Sequence, residues 1–207
     1  NLNFPLNSGI GCVVMDKWDA EDTLRLVQEH RITHTHVVPT MLHRILSLDA
    51  ATLAKYDFSS LRWILHGAAP CPTHVKERSI DLFGPVVFEY YAATEGGGIF
   101  VDSHEWKNKV GTVGKPLPGV TVRIVTDAGE AAKPREVGTV YFEAPSQGRF
   151  EYFKAPEKTE GAYRGNDYTM GDMGYIDEDG FLYLTGRSAE VIISGGVNIY
   201  PVEIDQE

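Results

Sequence analysis

Only two cysteines, Cys12 and Cys71, occur in the 207 residues. They match neither a metal-ligand spacing nor a disulfide framework, so a reducing, cytoplasmic setting is the simpler expectation. Basic residues are also scarce: 19 Lys and Arg stand against 29 Asp and Glu, a formal charge of -10. That balance argues against nucleic acid as a partner, although backbone amides and a metal ion can still bind an anion locally. No apolar run approaches the ~18 residues of a membrane-spanning helix, so no transmembrane segment is expected. Internal repeats and low-complexity tracts are absent too. What remains is ordinary globular material, 43% hydrophobic and 23% charged, enough for one large domain or a domain and a half. The opening NLNFPLNSG and the closing VEIDQE read as cut ends, an excerpt of a longer protein.

Up to about residue 105, strands and helices alternate. DAEDTLRLVQEH predicts a helix with Asp19 as N-cap and Ala20, Leu24 and Val27 on one face. ITHTHVVPT is a strand candidate ending at Pro39, and MLHRILSL returns to helical spacing. LRWILHG, PTHVKERSIDLF and PVVFEYYA then read as strand, helix and strand. Such alternation predicts βαβ units and a parallel sheet. From about 106 to 187 the texture changes to short strands (VTVRIV, GTVYFEA, GFLYLTG) between Gly, Pro and Asp turns, the pattern of a small antiparallel barrel or sandwich. A β-run with a double glycine, VIISGGVNIYPVEI, follows.

Ligands of α/β sheets sit outside the carboxyl ends of the strands, and two such ends are unusual here. LHGAAP closes one strand with Gly67, Ala68 and Ala69, where backbone can approach a planar ligand. EYYAATEGG closes the next with Tyr91, Thr94 and Glu95. These could stack on a base, meet a phosphate oxygen and hold Mg²⁺. A solvated Thr-Glu turn explains the same residues equally well. Further on, Asp172 lies between glycines, where a carboxylate can accept from both hydroxyls of a ribose. Arg187 follows a strand and offers a fixed cationic fork. Singly, each reads more simply as a turn aspartate and a surface arginine; in this order, the four together point to a nucleotide. His34, His36 and His43 lack a converging fourth ligand, whereas His66 is placed to line a ligand pocket.

LHGAAP, YYAATE, GTVGKPLPG, YTMGDMGYIDEDGFLYLTGR and SGGVNIYPVEI together resemble the adenylate-forming superfamily, which includes acyl-CoA synthetases, luciferases and peptide-synthetase adenylation domains. The resemblance covers nearly the whole chain in order. FEYFKAPEKTEGAYRGNDYTMGD and IISGGVNIYPVEI are most similar to fatty-acyl and aryl CoA ligases. It implies a parallel-sheet α/β subdomain over 1–105 belonging to a larger adenylation domain. A small antiparallel β-barrel subdomain would span 106–187, and the hinge and first strands of a truncated C-terminal α+β domain would span 188–207.

The resemblance also implies roles. Gly67, Ala68 and Ala69 would line the adenine and acyl pocket, Tyr91 would stack on adenine, and Thr94 would contact the α-phosphate. Glu95 would bind Mg²⁺, Asp172 the ribose, and Arg187 ribose or phosphate. Residues 188–190 would form the hinge, and Gly195 and Gly196 would lie on the pantetheine-tunnel loop. The glycines after Glu95 would leave room for an acyl group. The implied reaction joins a fatty or aryl carboxylic acid to AMP from ATP and then to coenzyme A. A homodimer is compatible with it. Two departures stand out: Ala189 replaces the usual polar hinge residue, and Ala92 the glycine after the motif tyrosine. The family's phosphate loop would lie upstream of residue 1 and its adenylation lysine beyond Glu207. These residues alone are therefore expected to be inactive. Transfer to a carrier protein, or a non-catalytic nucleotide or acyl binder, are the competing readings.

Overall fold

The computed structural model describes residues 5, 7–145 and 148–188, together with strands at 192–194 and 197–199. Helix α1 (Ala20–Glu29) begins as expected. Asp19 accepts the Asp22 N–H at 2.9 Å, satisfying a donor that the first turn leaves open, and Leu24 and Val27 are buried. Strand β1 (His34–Val37) leads into helix α2 (Pro39–Leu46). Pro39 sits in that helix's first turn, where its missing N–H costs nothing. After the short α3 (Ala50–Leu53) come β2 (Trp63–His66), α4 (Thr73–Phe83) and β3 (Val87–Ala93). The three strands pair in parallel, with His66 level with both Val37 and Glu89.

The expected parallel sheet is present from β1 to β3, and the parallel pairing stops there. The chain reverses at Thr94 and Glu95 into β4 (Gly96–Val101), which pairs antiparallel with β3 and with the two-residue β5 (Lys115–Pro116). The result is a mixed five-stranded sheet in the order β1-β2-β3-β4-β5. A strand that opens with three glycines gives no apolar alternation to read. Helices α1, α2, α4 and α5 (Ser103–Asn108) cover one face, where Val27, Leu42, Val75, Val87 and Trp106 share a core. On the other face Trp63 stacks on Phe88 with centroids 4.1 Å apart.

The second half forms β6 (Val122–Val125), β7 (Gly138–Glu143), helix α6 (Pro156–Ala162), β8 (Tyr163–Arg164), β9 (Asp167–Ile176) and β10 (Leu182–Arg187). These strands make an antiparallel sheet in the order β10-β9-β7-β6, with β8 on β9. The expected strands are present. The expected barrel is an open sheet: among the described residues β6 does not pair with β10. The sheet builds its own core from Ile124, Val140, Phe142, Tyr168 and Leu182, joined by Ile99 of β4. The two sheets are tied where the Leu182 N–H donates to Gly114 O at 2.8 Å and Lys109 Nζ donates to Asp177 at 2.8 Å. Strands β11 (Ile192–Ser194) and β12 (Val197–Ile199) form a separate antiparallel pair. Ala189, Glu190, Gly195 and Gly196 lie outside the described residues. Among the described residues no helix is long and apolar enough to cross a membrane.

Candidate nucleotide site

The carboxyl ends of β2 and β3 lie side by side, and the first residue past β2 is constrained by its neighbour. A Cβ on Gly67 would lie 2.6 Å from both the ring and the carbonyl oxygen of Tyr90, closer than real Cβ contacts, so only glycine fits. Ala68 then takes a left-handed φ of 69°, a conformation that costs a non-glycine residue about 1–2 kcal/mol. Ala68 and Ala69 are exposed, so this strained turn displays backbone and methyl groups to the outside.

Tyr91, on β3, reaches out of its own sheet. Its hydroxyl donates to Asp172 Oδ2 at 2.5 Å. Asp172 lies within β9, which corrects the turn reading, and is 9% exposed. Its direct partner across the ladder is Arg187 on β10, whose Nε donates to Asp172 Oδ1 at 3.2 Å. One nearly buried carboxylate thus accepts from a phenol on one sheet and a guanidinium on the other. Burial, and secondarily the charge of Asp172, pushes the Tyr91 phenol well above its ordinary pKa; it remains a donor at any physiological pH. Beside them Ser188 Oγ donates to Gly171 O at 3.2 Å.

Thr94 and Glu95 form the reversal between β3 and β4, so both are presented at the tip of the sheet. Thr94 is exposed and Glu95 half-buried. Glu95 Oε1 accepts from Tyr152 Oη at 2.8 Å. Among the described residues Glu95 has no ion pair, which leaves a carboxylate oxygen able to meet a cation. The following glycines do not open the space foreseen for an acyl group at Gly96. A Cβ there would meet the Tyr168 hydroxyl at 2.3 Å, and the φ of 137° excludes most side chains.

His66 is also corrected. Period-two alternation turns it inward with Ile64, and it is 0% exposed. Among the described residues both ring nitrogens lack a hydrogen-bond partner. Burial, and then the nearby Lys76, lowers its pKa to about 3 and keeps the ring neutral. Lys76 on α4 donates to Glu89 on β3 in a buried ion pair. The sequence reading did not foresee this pair, since a contact between a helix and a strand follows no fixed spacing. His36, by contrast, shares a hydrogen bond of 3.0 Å with the Tyr90 hydroxyl.

The structure therefore brings Tyr91, Asp172 and Arg187 into contact, with Thr94 and Glu95 on the continuation of the same strand. It also places Gly67, Ala68 and Ala69 at the neighbouring strand end. Tyr152 was missed. Its only signal was its place four residues before Pro156 and seven before Thr159 in YFKAPEKT. A cavity of about 480 Å³ elsewhere, on the antiparallel sheet, is lined by Val122, Ile124, Arg164 and Ile176 among others and contains none of these groups.

A family model described as AMP-binding enzyme matches residues 1–149. The chain is 33% identical over 207 residues to a long-chain-fatty-acid–CoA ligase of Bacillus subtilis (strain 168), covering 99% of this chain and 36% of that protein. It is 35% identical over 200 residues to a 2-succinylbenzoate–CoA ligase of Bacillus pumilus (strain SAFR-032), covering 95% of this chain and 39% of the relative. Among solved structures, o-succinylbenzoate coenzyme A synthetase from Bacillus subtilis, in complex with ATP and magnesium ion, superposes with a TM-score of 0.81. The two are 30% identical, and the match covers 97% of this chain and 41% of that one. The chain thus spans under half the length of the curated relatives it matches.

Proposed function

Because the chain belongs to the AMP-binding enzyme family, we propose that it is the nucleotide-binding part of an ATP-dependent acyl-CoA synthetase. The observation that carries this reading is the contact of Tyr91 and Arg187 with one nearly buried carboxylate, Asp172, at the carboxyl end of β3. A carboxylate has about four acceptor positions. Tyr91 and Arg187 take two, and the ribose hydroxyls take the others. Tyr91 offers its ring to adenine, and Gly67, Ala68 and Ala69 line the adenine and acyl pocket with little more than backbone. Arg187 is exposed and, among the described residues, bonds only through Nε to Asp172, so its remaining N–H groups are assigned to ribose or phosphate oxygens. Thr94 meets the α-phosphate.

In the first half-reaction a carboxylate oxygen of the acid attacks the α-phosphorus of ATP, the bond to the bridging oxygen breaks, and pyrophosphate leaves. In the second the coenzyme A thiol adds to the acyl carbonyl, gives up its proton, and AMP departs. Both steps depend on orientation and charge neutralisation more than on a strong base. This explains why the site's inventory is an aromatic ring, two carboxylates, a hydroxyl and a guanidinium. Mg²⁺ in such sites is held by one or two carboxylates and the phosphates themselves, whose charge it neutralises. Glu95, which has no ion pair among the described residues, fits that need. Gly195 and Gly196 are assigned to the coenzyme A tunnel, and residues 1–105, 106–187 and 188–207 to the α/β, β and hinge portions of the longer enzyme.

The substrate we assign is a fatty or aromatic carboxylic acid. A free amino acid would bring an ammonium that needs a buried carboxylate partner, and Ala68, Ala69, Ala92 and Ala93 at the strand ends are small and uncharged. These 207 residues alone are expected to catalyse no ATP–pyrophosphate exchange. Pyrophosphate release by the intact protein, screened over acids, tests the assignment. Turnover with fatty or benzoate-like acids is expected, and turnover confined to amino acids contradicts it.

A further inference from the structure

The carboxylate of Glu95 sits on a two-residue reversal at the tip of a sheet, a place where a long side chain would ordinarily sample many rotamers. Among the described residues its one side-chain hydrogen bond is to the hydroxyl of Tyr152, 57 residues away, at 2.8 Å. Tyr152 is itself held on several sides. Its N–H donates to Thr159 Oγ1 at 2.9 Å, and that hydroxyl in turn donates to Ala155 O at 3.1 Å, within the first turn of α6. Its ring lies edge-on to Phe150 at 5.3 Å and beneath Lys158 Nζ at 4.0 Å. Phe150 packs in turn on Tyr168 at 5.3 Å. Tyr168 brings its hydroxyl against Gly96, the residue after Glu95. The segment from Phe150 to Thr159 and Tyr168 of β9 thus grip the Glu95 reversal from its side chain and from its backbone.

We propose that Tyr152 is a positioning residue for a divalent cation bound with the nucleotide. Its hydroxyl takes one acceptor position on Glu95 Oε1, which fixes the rotamer of the carboxylate and leaves Oε2 wholly free for the metal. Thr159 and Phe150 hold the tyrosine in place to do so. The spacing of Tyr152, Pro156 and Thr159 follows from this: Pro156 starts the helical turn, and Thr159 one turn later reaches back to the Tyr152 N–H. The inference rests on the reading of Glu95 as the metal-facing carboxylate. Partners that orient a metal's ligand change metal affinity about 10–100-fold when removed.

Mn²⁺ is a spectroscopic substitute for Mg²⁺, and its binding to the intact protein with a non-hydrolysable ATP analogue can be followed by loss of the free-ion resonance. In Tyr152→Phe, Mn²⁺ affinity is expected to fall about ten-fold while metal-free nucleotide affinity stays unchanged. Thr159→Val should shift Mn²⁺ affinity in the same direction without removing the phenol. Glu95→Gln should weaken Mn²⁺ more than either. Unchanged Mn²⁺ affinity in a folded Tyr152→Phe, with Glu95→Gln impaired, overturns the role of Tyr152 and leaves Glu95 standing. Unchanged affinity in Glu95→Gln removes the underlying reading and the proposal with it. An equal loss of metal-free nucleotide affinity and of thermal stability in Tyr152→Phe would mark a merely structural bond and also overturn the proposal.

Discussion

The Tyr91 hydroxyl, on the mixed sheet, donates at 2.5 Å to Asp172, on the antiparallel sheet, so one bond joins the two layers at the proposed nucleotide site. Hydrogen bonds to charged groups contribute about 1.5–3 kcal/mol. Tyr91→Phe should cost about that much in unfolding free energy, measured by urea titration of the intact protein. It keeps both the ring and the Asp172 acceptor, so ATP affinity should change by no more than a few-fold. A ten-fold or greater loss would mean that the hydroxyl itself contacts the nucleotide.

Lys76 and Glu89 form a pair buried beneath the same strand ends, at 1% and 8% side-chain exposure. Breaking such a pair from one side leaves an uncompensated charge and costs about 3–5 kcal/mol, whereas replacing both partners with apolar residues is often nearly neutral. Lys76→Met should therefore be strongly destabilising, and adding Glu89→Leu should recover most of the loss. A double variant as unstable as the single one, in the same urea titration, would show that the pair holds the fold together beyond its own charge balance.

His66 sets an acid limb on stability. The unfolded ring takes up a proton below about 6.5, and the native ring, held down chiefly by burial, only near pH 3. Between these values the unfolded state binds more protons, so stability falls as pH falls. From pH 7 to pH 5 this one group removes about 2 kcal/mol. His66→Leu should flatten that part of the profile; an identical acid slope in the variant would place the titration elsewhere.

Much of the architecture was legible where apolar periodicity is strong. Asp19 before Leu24 and Val27 marks α1, and the β1-to-β3 strands separated by helical stretches gave the parallel core. The same period-two logic, applied to Trp63, Ile64, Leu65 and His66, would have turned His66 inward beside Ile64 rather than toward a ligand. Other features had no local signal. Gly96, Gly97 and Gly98 carry no side chains to alternate, so β4 was hidden. The glycines flanking Asp172 suggest a turn, yet Gly174 is glycine because a Cβ would meet Tyr183 O at 2.2 Å across the ladder. Contacts between distant segments, Lys76 with Glu89 and Tyr152 with Glu95, depend on tertiary placement that no spacing encodes. The proposed nucleotide-binding residues could be named from sequence because they lie toward a strand end or beside a glycine, where their chemistry shows.

The most direct measurement is ATP affinity of the intact protein by calorimetry, with Asp172→Ala compared against Tyr91→Phe. Both variants lose the bond between the sheets, but only Asp172→Ala loses the acceptor assigned to the ribose hydroxyls. Asp172→Ala is expected to bind ATP about ten-fold or more weakly, from a charged hydrogen bond of roughly 1.5–3 kcal/mol, while Tyr91→Phe stays within a few-fold of the parent. A folded Asp172→Ala that binds ATP as tightly as the parent would contradict the placement of the nucleotide at this carboxylate.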